Sequence, residues 1–343
     1  MHLAFSVALL ARRPLLARLH AEHTDAYRLL HGTVEGVPGV AIDRYGPHLL
    51  VQSFRDPLVI GELEVLAEMA GEAVGAPLEL AYRHRPSSGE VETLVSPLHN
   101  EAVLTECGVH YRSLMDHRGR DPLLFLDLRV VRRHALSAPP GANWLNLFAY
   151  TCGVGVAAAV GGAHTVWNVD FAQSALDFGA ENLLLNPPAA LAERRSQPLL
   201  GQVAPAKAMR FIKSDAISVM RQLAGLSVKG RARKRPHQHF EPRQFDRVVL
   251  DPPRWAKSPF GAVDLVRDYQ SLFKPALLLT KPGGVLVCTN NVASVDLDEW
   301  RGDLERCAEK AGRPALAVEV LTPEADFPSP DGRHPLKILS IRC

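Results

Sequence analysis

One stretch of the sequence constrains the fold more than any other. Residues 145–155 begin as an apolar run, pass through a turn of small residues that contains Gly153 and Gly155, and continue into an Ala-rich segment. A second apolar run ends in Asp170, close to the spacing of about twenty residues that is typical of a nucleotide-binding βαβ unit, in which the acid binds the ribose. The pattern therefore predicts a ligand that contains adenosine.

The second half of the chain extends this pattern. From about residue 124 onward, apolar runs of strand length alternate with segments of helical periodicity. The predicted strands are 143–148, 164–169, 208–212, 246–250, 284–289, 315–321 and 336–342. The predicted helices are 153–160, 172–185, 215–225, 262–280 and 297–311. This alternation predicts an α/β fold with a Rossmann-like, doubly wound and mostly parallel sheet, whose ligands bind at the carboxyl ends of the strands.

The N-terminal part has a different pattern, and 343 residues are enough for two domains. Between residues 23 and 115, short strand-like runs surround one helical segment, which predicts a small α+β module that orients the substrate. Residues 1–22 predict an amphipathic N-terminal helix. A signal peptide is not favoured, because Arg12 and Arg13 follow the apolar run instead of preceding it. The Rossmann-like domain is predicted over 116–343.

Composition and charge narrow the possible partners and location. The formal net charge is +2, so any attraction to nucleic acid must come from local patches. The five cysteines are scattered without metal-ligand spacing, which predicts a reduced, cytoplasmic chain and no metal site. No apolar run approaches the ~20 residues that a membrane helix needs, so no membrane partner is expected. The sequence leaves the oligomeric state open, a homodimer included.

A third apolar strand leads into residues 251–255, with the sequence Asp-Pro-Pro-Arg-Trp. Pro252 and Pro253 fix the backbone and remove two N–H donors, so that carbonyl oxygens face the pocket as fixed acceptors. Asp251 can hold an ammonium group or accept a hydrogen bond from a substrate. Trp255 offers a face on which a base can stack. A plain turn at a strand end is the alternative explanation. It would account for a single Asp-Pro, but the tripeptide Asp-Pro-Pro after an apolar strand is a more specific signal.

Five segments together match the pattern of one enzyme family. They are 27–32 (Tyr-Arg-Leu-Leu-His-Gly), 36–46 (Gly-Val-Pro-Gly-Val-Ala-Ile-Asp-Arg-Tyr-Gly), 125–129 (Phe-Leu-Asp-Leu-Arg), 146–151 (Asn-Leu-Phe-Ala-Tyr-Thr) and 251–253 (Asp-Pro-Pro). With them, most of the chain resembles the bacterial 23S rRNA large-subunit methyltransferase family, which comprises 5-methylcytosine enzymes and guanine-N7 relatives. The resemblance implies a class I methyltransferase domain that uses S-adenosyl-L-methionine as its cofactor.

The resemblance also implies a set of cofactor contacts. Asp170 would accept the ribose hydroxyls, Asp215 would meet the adenine amino group, and Asp251 would hold the methionine ammonium. The complete set of implied cofactor-binding residues is Phe125, Asp127, Arg129, Asn146, Phe148, Tyr150, Thr151, Gly153, Asp170, Asp215 and Asp251.

The chain departs from the family at informative places. Only a short segment stands where family members carry an RNA-binding PUA domain, so this domain is expected to be missing. Leu123 and Cys152 each replace a usual glycine. The basic run 229–243 has no counterpart in relatives. It is a candidate contact for RNA, which the resemblance implies is ribosomal, and a solvated loop is the alternative.

A further departure bears on the mechanism. The 5-methylcytosine enzymes carry a Ser-Cys-Ser segment whose thiolate attacks the base, and its position here is Asn291. Cys288 lies within a predicted strand, where a thiol packs as a small apolar group. Asn290 and Asn291 resemble the guanine-N7 relatives and are predicted to bind a guanine edge, unless they only shape a loop. The predicted catalytic residues are Asp251, Pro252, Pro253, Trp255, Asn290 and Asn291.

These observations favour direct methyl transfer to a ring nitrogen of guanine in RNA, most consistent with 23S rRNA. Two alternatives stay open at this point. The first is a cytosine-C5 methyltransferase that uses Cys288. The second is a non-catalytic protein that binds the methyl donor or RNA.

Overall fold

The computed structural model describes residues 1–86, 91–117, 121–187, 208–228, 238–258 and 261–343. The described residues form two compact units. The first contains Met1–Arg129 together with Pro323–Gly332, and the second contains the other described residues. The domain limits predicted from the sequence stay predictions. No helix among the described residues is long and apolar enough to span a bilayer.

The first unit combines two helices with short strands. Its elements are α1 (His2–Ala21), β1 (Ala26–Leu30), β2 (Val40–Tyr45), β3 (His48–Ser53), α2 (Ile60–Val74), β4 (Glu79–His84), β5 (Glu92–Val95), β6 (Glu101–Glu106), β7 (Val109–Leu114) and a 3₁₀ turn at Leu126–Leu128. Strands β1 to β5 form one sheet in sequence order, and β6 pairs with β7. Helix α1 buries Phe5, Leu9, Leu16 and Leu19 at helical spacing, but Leu3, Val7 and Leu10 are exposed, so the helix is less amphipathic than expected.

The second unit is built on one large sheet. Its elements are α3 (Arg129–Leu136), β8 (Asn143–Leu147), α4 (Gly153–Val160), β9 (Thr165–Asp170), α5 (Gln173–Leu184), β10 (Ala208–Lys213), α6 (Ala216–Leu223), β11 (Phe245–Leu250), β12 (Trp255–Ser258), β13 (Gly261–Asp264), α7 (Gln270–Leu279), β14 (Thr280–Asn290), α8 (Leu297–Lys310), β15 (Ala317–Val320) and β16 (Lys337–Arg342). The seven strands predicted from the sequence are all confirmed.

The large sheet has the order β10-β9-β8-β11-β14-β16-β15. The first five of these strands are parallel, whereas β16 runs antiparallel to both of its neighbours. Helices α6, α7 and α8 share one apolar core with the strands. The chain order reverses between β8 and β11, and in open α/β sheets a ligand binds at the carboxyl ends beside such a reversal. The predicted fold class is therefore confirmed.

One predicted helix is wrong in its extent. The helix expected over 262–280 begins at Gln270, because Gly261–Asp264 forms a strand that pairs with Trp255–Ser258. Asp264 ends this strand: its Oδ1 accepts from Val266 N at 3.0 Å, and its carbonyl accepts from Asp268 N at 2.8 Å. Such local bonds from an aspartate favour a turn over a helix. A hairpin therefore follows Asp-Pro-Pro directly.

Candidate active site

The strand register places the predicted acids along one edge of the sheet. Leu250 of β11 pairs with Leu147 of β8, and Leu147 pairs with Val169 of β9. The next residues, Asp251 and Asp170, therefore lie at the same level two strands apart, or about 10 Å between backbones. The turn after β8 lies between them. This edge is the carboxyl edge of the parallel strands, where the sequence predicts the ligand site.

The turn after β8 has an unusual backbone. Phe148, Tyr150 and Cys152 all have positive φ angles, of 57°, 48° and 60°. Left-handed geometry is uncommon for residues other than glycine and costs free energy, so it persists where the surroundings enforce it and is concentrated at functional sites. Ala149 N donates to Val169 O at 3.0 Å, which ties the turn to the neighbouring strand. The sequence predicted a tight turn but not these three conformations.

Asp170 fixes the same turn with its side chain. Its Oδ2 accepts from Tyr150 N at 2.8 Å, and its Oδ1 accepts from Ala172 N at 2.9 Å. The residue is only 7% exposed. An ionised carboxylate offers about four acceptor positions. After the two backbone bonds, the remaining positions suit the two hydroxyls of a ribose.

The approach of helix α4 to the sheet depends on a glycine and two asparagines. Asn146 Nδ2 donates to Asn168 Oδ1 at 2.9 Å, and both side chains are buried. A Cβ on Gly155 would lie 2.0 Å from Asn168 Oδ1, so only glycine fits there. The predicted residue Asn146 thus uses its amide inside the protein. Asn168 was missed, although a polar residue within an apolar strand was the available signal.

A second glycine supports the turn from helix α5. A Cβ on Gly179 would lie 2.4 Å from Cys152 Sγ, so the cysteine occupies the space that glycine leaves. Asn182 Nδ2, one turn further along α5, donates to Thr151 O at 3.0 Å. Both residues were missed in the sequence, yet a glycine inside a helix often marks a close approach. They hold Thr151 and Cys152 in the turn.

Asp215 follows β10 and caps helix α6. Its Oδ2 accepts from Ser218 N at 3.0 Å, which is the usual bond of an N-terminal cap. Burial raises the pKa of Asp215, while the backbone N–H groups of Ser218 and Ile217 partly oppose this shift. The predicted contact with adenine stays a prediction. The cap gives Asp215 a role in stability that can be measured separately.

Replacing Asp215 by Asn should make the free energy of unfolding less sensitive to pH. Since the raised pKa favours the protonated form in the folded protein, Asp215 contributes most stability at low pH. That contribution is lost as pH rises from ~4 through the raised pKa. Asp215→Asn keeps a good cap without the buried charge, whereas Asp215→Ala should cost about 1 kcal/mol. Urea unfolding at several pH values tests this, and parallel curves for wild type and Asp215→Asn would contradict it.

Asp251 lies at the end of β11 and is bonded to the next strand. Its Oδ1 accepts from Thr289 Oγ1, and Tyr269 OH donates to Thr289 O at 2.9 Å. Pro252 is buried and Pro253 is exposed. The structure thus brings the Asp-Pro-Pro segment beside the end of β14, where the predicted asparagines lie. Trp255 begins β12, but its side chain lies outside the described part of the structure.

The two predicted asparagines have different environments. Asn290 is fully buried: its Nδ2 donates to Leu265 O at 3.3 Å, and its Oδ1 accepts from Val292 N at 3.0 Å. Asn291 is exposed. Lys337, which the sequence did not indicate, donates from Nζ to Val292 O at 2.5 Å. Asn290 and Lys337 therefore hold the turn that presents Asn291.

Cys288 is fully buried within β14. Burial raises the pKa of its thiol far above the ordinary value, although a hydrogen bond with Tyr269 works against the shift. A thiol attacks as the thiolate, which a strongly raised pKa makes scarce. The other four cysteines are buried as well. No cysteine of this chain is therefore placed as an exposed nucleophile.

The residues of the Phe-Leu-Asp-x-Arg element lie in the first unit. Phe125 is 45% exposed, and Asp127 belongs to the 3₁₀ turn. Arg129 is 1% exposed and is surrounded by three carboxylates: it donates to Asp326 and to Glu324, and it forms an ion pair with Glu106. The structure gives Arg129 a buried role within its own unit. Contact of these residues with a cofactor stays a prediction.

The basic run falls largely outside the described residues. Residues 229–237 are not described, whereas 238–243 lead into β11. Arg243 is exposed at the end of this run, and its guanidinium lies 4.9 Å from the centroid of the Trp167 ring. Contact of the run with RNA stays a prediction.

The sheet order, the left-handed turn and the acids at the strand ends define the class I methyltransferase fold. Residues 43–192 match the family model of the S-adenosylmethionine-dependent methyltransferases. The ribosomal RNA large subunit methyltransferase I of Aeromonas hydrophila is 30% identical over 334 residues, which cover 92% of this chain and 74% of that protein. This chain belongs to the S-adenosylmethionine-dependent methyltransferase family. It is an enzyme of that class and uses S-adenosylmethionine.

Further comparisons agree with this assignment. The protein of the same name from Salmonella paratyphi B is 26% identical over 317 residues, which cover 89% of this chain and 69% of that protein. Among solved structures, SMU.776 in complex with SAH is similar in fold, with a TM-score of 0.75 and 20% identity. That match covers 100% of this chain and 80% of the other.

The site residues fit the donor chemically. Its ribose hydroxyls need acceptors, and the Asp170 carboxylate is an acceptor beside a turn that its two backbone bonds already fix; the contact with ribose stays a prediction. An ammonium group such as that of the methionine end is held by an anion, and Asp251 follows the end of β11; contact between the two stays a prediction. Helix α4 begins at Gly153, directly after the turn, and the absence of a side chain there lets a ligand approach the backbone.

Proposed function

We propose that this enzyme methylates a base of structured RNA, with 23S rRNA as the substrate. The two relatives above are named as methyltransferases of large-subunit ribosomal RNA, and the first of them aligns with nearly the whole chain. The observation that carries the proposal is the edge formed by Asp251, the left-handed turn and Asp170, with exposed Asn291 following β14. This arrangement can hold a nucleoside donor and a planar acceptor next to each other.

The preferred acceptor is a ring nitrogen, with guanine N7 as the candidate. Bound S-adenosylmethionine supplies a methyl group on a sulfonium sulfur, which a lone pair can take in line. N7 carries an exposed lone pair, so this chain needs neither a nucleophile nor a base and has only to position the acceptor at ~3 Å. Asn291 would bind the guanine edge, while Asn290 holds the turn. The base would leave its stack to reach the site.

Cytosine C5 is the alternative acceptor, and it requires a thiolate that adds to the ring. The buried position and raised pKa of Cys288 count against this mechanism.

Replacing Cys288 by Ala should therefore leave methyl transfer within about twofold of wild type. The thiol packs inside the sheet, so the expected cost is a small loss of stability from the missing sulfur. The measurement is transfer of labelled methyl to unmodified 23S rRNA transcribed in vitro, with thermal unfolding as the control for folding. Loss of transfer by a folded Cys288→Ala enzyme would favour the cytosine mechanism.

One experiment tests the proposed function as a whole. Nucleosides of ribosomal RNA are compared by mass spectrometry between cells that contain the enzyme and cells that lack it. Loss of one methylated guanosine, restored by the purified enzyme and donor, is the expected result. Loss of a 5-methylcytidine would show that the acceptor is cytosine C5 and not guanine N7. An unchanged set of nucleosides would refute a ribosomal substrate.

A further inference from the structure

One tryptophan of the second unit carries two arginines on its ring. Trp167 lies on β9, and Arg210 is its paired neighbour on the edge strand β10. The guanidinium carbons of Arg210 and Arg243 each lie 4.9 Å from the centroid of the Trp167 ring. Arg243 also lies 5.4 Å from the ring of Phe245. Two strands and the segment before β11 thus bring two cations to one aromatic platform.

Both arginines face solvent. Their side chains are exposed, whereas Trp167 is buried. Within the residues that the structure describes, neither guanidinium forms an ion pair with a carboxylate or a side-chain hydrogen bond. By contrast, Arg306 on helix α8 is paired with Asp303. Two like charges held on one ring repel each other, and an anion between or beside them would relieve that repulsion.

Stacking alone explains only part of this arrangement. An arginine that lies on tryptophan covers apolar surface and gains a cation–π interaction, and one arginine achieves both. A stacked guanidinium also keeps its N–H groups in a fixed plane, which suits the oxygens of a phosphate. The second arginine adds a charge for which the described residues offer no acidic partner.

We propose that Arg210 and Arg243 form a phosphate-binding pair for the backbone of RNA, oriented by the ring of Trp167. This inference rests on the proposed function and deepens it by naming a backbone contact that lies outside the methyl-transfer site. It is independent of residues 229–237.

The position of the pair suits a strand that continues toward the site. Arg210 precedes Lys213 by three residues on β10, and Lys213 pairs with Asp170 of the site. Three residues of strand span about 10 Å, a distance that one or two nucleotides of single-stranded RNA can cover. Backbone contacts of this kind position a substrate without reading its sequence.

Replacing both arginines by Met tests the pair. Methionine keeps the apolar cover on Trp167 and removes both charges. We expect the Arg210→Met/Arg243→Met enzyme to bind unmodified 23S rRNA transcript about tenfold more weakly at low salt. The slope of log affinity against log salt should fall by about 1.4, because each lost phosphate contact on a single strand contributes about 0.7. Arg306→Met removes one exposed charge elsewhere and should leave affinity unchanged.

Two further measurements separate the possible outcomes. Thermal unfolding of the double variant and its calorimetric binding of S-adenosylmethionine should match wild type. If the double variant fails to fold, the single changes Arg210→Gln and Arg243→Gln replace it, and each is expected to bind the RNA transcript about threefold more weakly. If a folded variant binds the RNA with unchanged affinity and unchanged salt dependence, Arg210 and Arg243 are not a phosphate-binding pair, and the proposed function is unaffected. Failure of the wild-type enzyme to bind or methylate the transcript would overturn both.

Discussion

Replacing Asp170 by Asn is expected to abolish measurable methyl transfer and to weaken binding of S-adenosylmethionine by about 100-fold or more. The carboxylate accepts from Tyr150 N and Ala172 N with its two oxygens. An amide can satisfy only one of these donors with its oxygen, so its NH₂ group would face the other. Hydrogen bonds to a charged group contribute about 1.5–3 kcal/mol each. The variant loses such a bond in the turn as well as the charge-assisted contacts to the ribose.

Calorimetry with the donor alone measures the binding loss without any RNA. Asp177→Asn is the matched control, because Asp177 lies on the following helix α5 and is exposed, with Gln173 as its one hydrogen-bond partner among the described residues. The control should bind the donor as wild type does. Donor affinity within threefold of wild type for a folded Asp170→Asn enzyme would contradict the role given to this residue.

Replacing Gly179 by Ala is expected to destabilise the second unit by about 1–3 kcal/mol, although Ala normally favours a helix. The new Cβ would lie 2.4 Å from Cys152 Sγ and 2.9 Å from Cys152 Cβ. Neither atom can yield easily, because Cys152 is fully buried and its backbone is fixed in a left-handed conformation. Urea unfolding of the variant gives the loss directly.

A second change should reverse this effect. Cys152→Gly removes the clashing sulfur and places the residue type that prefers a positive φ at that position. In the Cys152→Gly background, Gly179→Ala should be close to neutral, since the gain in helix propensity then opposes only a 3.3 Å contact with Phe211 Cε1. The double-mutant cycle should therefore show a coupling of about 1–3 kcal/mol. Additive effects of the two changes would show that this contact does not hold the turn.

The sequence predicted the parts of the site that lie along single segments. Apolar runs that end in Asp170, Asp215 and Asp251 predicted both the parallel strands and the edge where the acids stand, because the carboxyl ends of parallel strands share one edge. The buried, unreactive environment of Cys288 was predicted in the same way from its place inside an apolar run.

Contacts between distant segments could not be predicted from spacing. Gly179 can be recognised as a packing position only from its contact with Cys152 in the folded protein. The role of Asn168 likewise becomes clear only from its hydrogen bond with Asn146. The left-handed geometry of Phe148 and Tyr150 could not be predicted from the sequence either, because both residue types usually avoid it. The second strand of the hairpin, Gly261–Asp264, was predicted as the start of a helix, since a run of four residues shows too little periodicity to separate strand from helix.

The return of Pro323–Gly332 to the first unit has a consequence for how this protein is made. Asp326 arrives almost two hundred residues after Arg129, whose buried guanidinium it neutralises. During translation, an early-folding N-terminal half would have Glu106 but neither Glu324 nor Asp326 beside that cation until the last part of the chain leaves the ribosome. The first unit is thus finished last, and a polypeptide released before residue 326 would leave it incomplete.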